Sequence, residues 1–287
     1  MGSRPTEGLL LVDKPAGMTS HDVVGVARRM LGERRIGHAG TLDPFATGLL
    51  VLLVGRVTRL LPYLEGEPKV YDATIRFGTE TDTDDRTGAP VRAAEVPAEV
   101  DVRAAIDGLT GELTQVPPRF SAKQSGGQRA YHAARRGETL EVSPVSVIVH
   151  GWAILGWRGS ELDASITCSG GTYIRALARD LGRACGSAAH LAELRRTRSG
   201  PFHVGDAASI DALLAGAAAL RPPLVGAPSL PVQQLGPAEL AAVTRGNTVP
   251  ATVGGSRAAL TDAEGSLVAI AERHGDEWRP KVVLRDP

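Results

Sequence analysis

The sequence predicts an α/β (α+β) chain in two parts, a large mixed domain followed by a small β-rich one. Three observations point there. The 287 residues are more than one ordinary domain needs. Apolar runs of strand length, at 8–12, 49–54 and 69–77, are interspersed with stretches such as Val23, Val24, Ala27 and Leu31 at helical spacing. The Pro-rich stretch 221–228 then reads as a linker ahead of four short strand-and-turn segments.

In chain order, residues 1–7 read as a loose terminus and 8–12 as a buried strand, followed by the turn Lys14-Pro15-Ala16-Gly17. Ser20 is a good N-cap for the helix carrying Val23, Val24 and Ala27. A glycine-rich loop at 37–48 leads into a strand and a short helix over 48–61. Imperfect alternation of Val70, Ala73, Ile75 and Phe77 predicts a strand over 69–77. The acidic loop 79–85 lacks the glycine and terminal glutamate of a calcium loop. Residues 102–109 read as helix, and Pro117-Pro118 breaks the chain before a basic segment, 119–142. Strands are expected at 145–155 and 161–168 around a turn at 156–160. Gly170-Gly171 then admits a helix through Ala176, Leu177 and Leu181 to Gly182, and 190–194 reads as a second helical stretch. Beyond the linker, 240–249, 258–261, 266–272 and 278–284 look like short strands and turns.

Composition narrows the function. Net charge is zero, which by itself argues against a nucleic-acid protein, but the charges are unevenly spread. Residues 113–137 hold Arg119, Lys123, Arg129, Arg135 and Arg136 and no acid, and Arg195, Arg196 and Arg198 form a second knot. Such clusters can neutralise phosphates, although any one of them could also be a solvated face. Cys168 and Cys185 form no CxxC pair, so neither a disulfide framework nor a zinc site is indicated. His38 has no second His or Cys at ligand spacing, so no metal is expected. No signal peptide is visible and no apolar run is long enough to span a bilayer, so the chain reads as cytoplasmic, with no membrane partner. A GxSxG elbow, a GxxxxGK[ST] phosphate loop and a strand-plus-GxGxxG unit are all missing.

The loop GHAGTLDPFATG places one carboxylate, Asp43, one imidazole, His38, and two hydroxyls among three glycines and a proline. Glycine permits close backbone approach, and Pro44 pushes Asp43 away from helix, so Asp43 is a candidate nucleophile or base. The plainer alternative is an Asp-Pro turn closing a strand.

GHAGTLDPFATGLL resembles the catalytic motif of the TruB family of pseudouridine synthases, which act on the T-loop uridine at position 55 of tRNA. Similar family segments follow in order over about residues 8–205: Lys69-Val70-Tyr71, TDTDDRTG at 81–88, PRFSA at 118–122, GTYIR at 171–175 and Leu194-Arg195-Arg196. The resemblance implies a pseudouridine-synthase-like catalytic domain on a mixed, largely antiparallel sheet over 1–222, with a basic tRNA-gripping insertion at 119–142. It also implies a PUA-like RNA-binding domain over 230–287.

By the same resemblance, Asp43 is the nucleophile, Tyr71 stacks on the flipped target base, and Arg175 pairs with the catalytic carboxylate. His38, Asp85, Tyr173 and Leu194 become substrate-binding residues; Arg119, Lys123, Arg129, Arg135, Arg136, Arg195 and Arg196 become RNA-binding ones. Each has a plain structural alternative, a core aromatic for Tyr71, a surface arginine for Arg175 and a core leucine for Leu194. Asp82 and Asp84 compete with Asp85 for its role. No cofactor is required, and the partner is tRNA, engaged by a monomer without an obligate protein partner. Two other readings stay open, an RNA-folding module with secondary catalysis and a guide-dependent synthase acting on ribosomal RNA.

Overall fold

A computed structural model describes residues 7–118, 124–125, 128–129 and 143–286. The chain divides into two compact units. One comprises Met1–Asp43, Leu49–Gly66 and Gly200–Pro287; the other comprises Pro44–Gly48 and Glu67–Ser199. Among the described strand pairs some are parallel, as at Val12/Ala208, Arg195/Thr47 and Val232/Ala259, and more are antiparallel, which makes the fold a mixed, largely antiparallel α/β one.

In the first unit, the strand Gly8–Lys14 runs parallel to Ala208–Ser209, and residues 52–54 of the strand Thr47–Val54 pair antiparallel with Ile36–His38. Both strands are buried on both faces, which is why they read as unbroken apolar runs. Alternate side chains feed two cores. Leu9, Leu11, Leu49, Val51 and Leu53 pack with Val57, Leu60, Phe202, Ala259, Ile270, Val282 and Leu284. Leu10, Val12, Leu50, Leu52 and Val54 pack with Val23, Val24, Ala27 and Leu213.

The helix Ser20–Leu31 starts one residue earlier than a Ser20 cap would put it. Thr19 is the N-cap, in a capping box with Asp22, and Ser20 becomes the first helical residue. The stretch 221–228 is not an extended linker either. Arg221 exchanges two backbone hydrogen bonds with Leu9, at 2.9 and 2.7 Å, and Pro223–Gly226 is a short 3-10 turn.

A second sheet in this unit has the order Val232–Gln234, Arg257–Thr261, Leu267–His274, Glu277–Val283 and Val249–Pro250. Trp278, in the strand Glu277–Val283, is fully buried, its indole N–H donating to Gln233 Oε1 at 2.8 Å. Part of the expected strand-and-turn segment 240–249 is the end of a helix, Pro237–Thr244, started by Pro237 and by Glu239 reaching back to the Gly236 N–H.

The second unit is built on the order Ala189–Ser199, Lys69–Phe77, Glu161–Cys168, Val145–Arg158 and Gly111–Gln115, every neighbour antiparallel. Thr47 and Gly48 add a parallel rung against Arg195 and Arg196. The 14-residue strand Val145–Arg158 is longer than expected because register shifts between Val149/Gly151 and Ile154/Gly156 carry it past residue 155. The helices Glu99–Gly108 and Ile174–Ala184 complete this unit. The expected helix at 190–194 is instead part of the strand Ala189–Ser199, where tertiary pairing outweighs the helical propensity of Leu, Ala and Glu. Among the described residues, no helix is long and apolar enough to cross a membrane.

Candidate active site

The loop carrying Asp43 is anchored on the first unit. Ile36–His38 pairs His38 with Leu52, and the Ala39 N–H donates to the Val51 carbonyl at 2.9 Å. The next anchor is Ser20, whose hydroxyl accepts from the Leu42 N–H at 2.9 Å and donates to the Leu42 carbonyl at 3.2 Å. Leu42 itself is buried, so the residue before Asp43 is fixed by backbone and side chain together, while Asp43 is half-buried. Lys14 is fully buried, its ammonium donating to the carbonyls of Met18 at 2.7 Å and Pro15 at 3.0 Å.

The remaining described residues named for the site lie in the second unit. Tyr71 pairs with Ile166 on one side and Arg196 on the other, and Leu194 pairs with Ala73. Paired residues share a face, so Tyr71, Leu194 and Arg196 stand together, all buried. Arg195 pairs with Asp72 and Thr47 and faces the opposite way, its guanidinium donating to the Thr47 hydroxyl at 3.5 Å. The arginine knot is therefore split between two faces, and Arg196 has no exposed surface. Burial, with the Arg196 charge nearby, holds the Lys69 ammonium below its usual range.

Tyr173 precedes the helix Ile174–Ala184. Buried Gln115 clamps its backbone, accepting from the Tyr173 N–H at 2.8 Å and donating to its carbonyl at 3.1 Å. Two rungs below it separate the three neighbouring acids that the sequence leaves ambiguous. Arg175 reaches Asp85 at 3.4 Å and donates to the Thr83 carbonyl at 2.9 Å. One helical turn on, Arg179 reaches Asp84 at 2.8 Å and donates to the Val116 carbonyl at 3.0 Å. Asp82 instead accepts from the Ala89 N–H at 2.8 Å across its own turn.

All four members of these rungs are buried. Asp84 has φ 61, a left-handed backbone, and its carboxylate meets Arg179 while that of Asp85 meets Arg175. Burial pushes the Asp84 carboxyl up to about 6, against the pull of Arg179 and Arg175. Burial also works against the Glu80 carboxylate, but Arg183 and Arg92 outweigh it and hold the group below its ordinary range.

A family model described as TruB family pseudouridylate synthase (N terminal domain) matches residues 28–174, and one described as tRNA pseudouridylate synthase B C-terminal domain matches 175–222. The chain belongs to the TruB family of pseudouridylate synthases. It is 45% identical over 288 residues to tRNA pseudouridine synthase B of Thermobifida fusca, covering 97% of this chain and 98% of that protein. It is 44% identical over 290 residues to the protein of that name from Gloeobacter violaceus, covering 97% and 99%. Among solved structures, the chain resembles one in a Cbf5-Nop10-Gar1 complex with a TM-score of 0.72 and 25% identity, covering 97% of this chain and 85% of that one.

For a TruB-family isomerase the geometry is informative in both directions. Asp85 and Arg175 are in contact; Tyr71, Leu194 and Arg196 share one strand face; Tyr173 caps the helix that carries Arg175. His38 and Asp43 sit on the anchored loop of the first unit. Arg119, Lys123, Arg135 and Arg136 lie outside the described residues, and Arg129 is described only as backbone, in the small pair of strands Gln124–Ser125 and Gln128–Arg129. Sequence reading missed Ser20 as a loop anchor and overlooked Gln115 and Arg179. Only Arg179 left a signal, its spacing of one helical turn from Arg175. Among the described residues, no group of three or more His, Cys, Asp or Glu side chains is placed to hold a metal ion.

Proposed function

We propose that this synthase isomerises uridine to pseudouridine in the T loop of tRNA, at position 55, with Asp43 as nucleophile. The observation that carries the reading is near-full-length identity to proteins named tRNA pseudouridine synthase B. The target base lies inside a folded loop and must be flipped out before it can react. Asp43 then attacks the flipped nucleotide, the glycosidic bond breaks, and the base re-attaches through C5, which loses its proton. Tyr71 stacks on the base, and Arg175 keeps the catalytic carboxylate ionised, since a guanidinium beside a carboxylate lowers its pKa. His38, Asp85, Tyr173 and Leu194 hold the flipped nucleotide.

In this reading, residues 1–222 are the catalytic domain and 230–287 a PUA-like RNA-binding one. Arg119, Lys123, Arg129, Arg135 and Arg136 of the 119–142 segment grip the tRNA, with Arg195 as a further contact; Arg196, expected beside it, has no exposed surface to offer one. The protein works in the cytoplasm, as a monomer, on tRNA.

The test is tritium release from a T-arm RNA carrying 5-tritiated uridine, with wild type and Asp43→Asn in parallel. Release by wild type alone, with RNA affinity retained in the variant, is the expected result. Binding lost as completely as activity would remove Asp43 from the nucleophile role. No release by either protein, with tight binding kept, would make the chain an RNA-folding module.

A further inference from the structure

Arg86 follows the two clamped acids directly but leaves their buried network. Its backbone is fixed from both sides: Asp84 and Asp85 are held by Arg179 and Arg175, and the Arg86 N–H donates to the Leu191 carbonyl at 3.0 Å. Its guanidinium carbon lies 5.8 Å from the centroid of the Phe45 ring. Phe45 is buried and follows Asp43 by two residues on the same loop. A cation over an aromatic face is both attracted and restricted there. The planar guanidinium still presents an N–H edge, the geometry that suits phosphate oxygens.

Among the described residues, the carboxylate facing Arg86 is Glu193, at 3.9 Å; the Glu193 side chain is 73% exposed and that of Arg86 44%. An ion pair that long and that exposed is worth little and gives way to a multiply charged ligand. Arg86 is thus a cation with its orientation already set, which reduces the ordering that binding would otherwise require.

We propose that Arg86 is a phosphate-binding residue of this synthase, with the Phe45 ring as the shelf for its guanidinium. Its ligand is a backbone phosphate of the RNA strand beside the flipped nucleotide. The inference rests on the reading that the chain acts on T-arm RNA.

The experiment measures T-arm RNA affinity against salt concentration for wild type, Arg86→Gln and Arg86→Lys, with tritium release followed on the same preparations. One lost phosphate contact should make the log Kd against log salt slope shallower by about 0.7–0.9 in R86Q, with affinity down about five- to tenfold at low salt. R86K should recover the slope. A wild-type slope in R86Q, with wild type binding and reacting, overturns this proposal alone. Affinity lost equally in R86Q and R86K at the wild-type slope also overturns it, since the guanidinium would then be stacking on a base. Wild type that neither binds nor isomerises the RNA overturns the underlying reading, and this proposal with it.

Discussion

Gly48 stands in parallel register with Arg196, and a Cβ at position 48 would meet the Arg196 carbonyl oxygen at 2.3 Å and its amide nitrogen at 2.8 Å. Those are backbone atoms with no rotamer to retreat into, and the φ of 100° at Gly48 is itself one that L side chains rarely adopt. Gly48→Ala should therefore cost about 3 kcal/mol or more, combining strain with overpacking. Urea denaturation would register this as a lower midpoint, and a midpoint within error of wild type would mean that the two strands can part without penalty.

Arg179 and Asp84 form the second rung under the helix Ile174–Ala184. Removing one partner of a buried pair strands the other charge, at a cost of about 3–5 kcal/mol. Arg179→Met is expected near the lower end of that range, because Asp84 can take up a proton instead. The double variant Asp84→Asn with Arg179→Met should be more stable than the sum of the two single losses predicts. Asn tolerates the left-handed backbone at position 84, so the cycle isolates the charge pair. Additive losses would show that the rung is not coupled.

The same carboxyl gives a pH signature. Burial raises Asp84 from 3.8 to about 6, so between those values the folded chain holds a proton that the unfolded chain has released. The stability from this group is present in full below the unfolded value and is lost as pH rises through about 6. Asp84→Asn removes the titration. Comparing urea midpoints at about pH 4.5 and about pH 7.5, the balance should move toward wild type on acidification, by about 1–3 kcal/mol. A difference that is flat with pH, or tilts the other way, would place the carboxyl at or below its ordinary range in the folded chain.

Ser20→Ala deletes the side chain that holds Leu42 on both its backbone groups. A buried N–H and carbonyl left without their partner cost about 1–3 kcal/mol. The freed loop carries Asp43, so isomerisation by Ser20→Ala should fall more than its RNA affinity does, read as single-turnover rate against Kd. Equal losses in both would mean that Ser20 supports the helix alone.

Two strands were legible from sequence to the residue: Lys69–Phe77, despite its imperfect alternation, and Glu161–Cys168 have the expected bounds. Among the elements that were not, two are instructive. His190 to Leu194 has the composition of a helix, but its neighbours on the sheet pair it as a strand, information that no local window holds. Pro237–Thr244 did carry its start signals, Pro at the first turn and Glu at the third position, beside too little amphipathic pattern for them to stand out. At the site, the sequence left Asp82, Asp84 and Asp85 interchangeable, and the structure gives each a different partner, the Ala89 N–H, Arg179 and Arg175, through long-range contacts that no local window holds.

The first unit closes its hydrophobic interior with residues from both ends of the chain, Leu9 and Leu11 clustering with Val282 and Leu284. A chain made from its N-terminus therefore leaves that face of its early strands incomplete until residues 282–284 have been added. The second unit, apart from residues 44–48, is contained in Glu67–Ser199 and has every strand it needs once Ser199 has been added. Contacts that bridge so much sequence are slow to form, so the early strands stay exposed to aggregation and to chaperones meanwhile. Leu9 and Leu11, among the first residues synthesised, are thus among the last to meet all their partners.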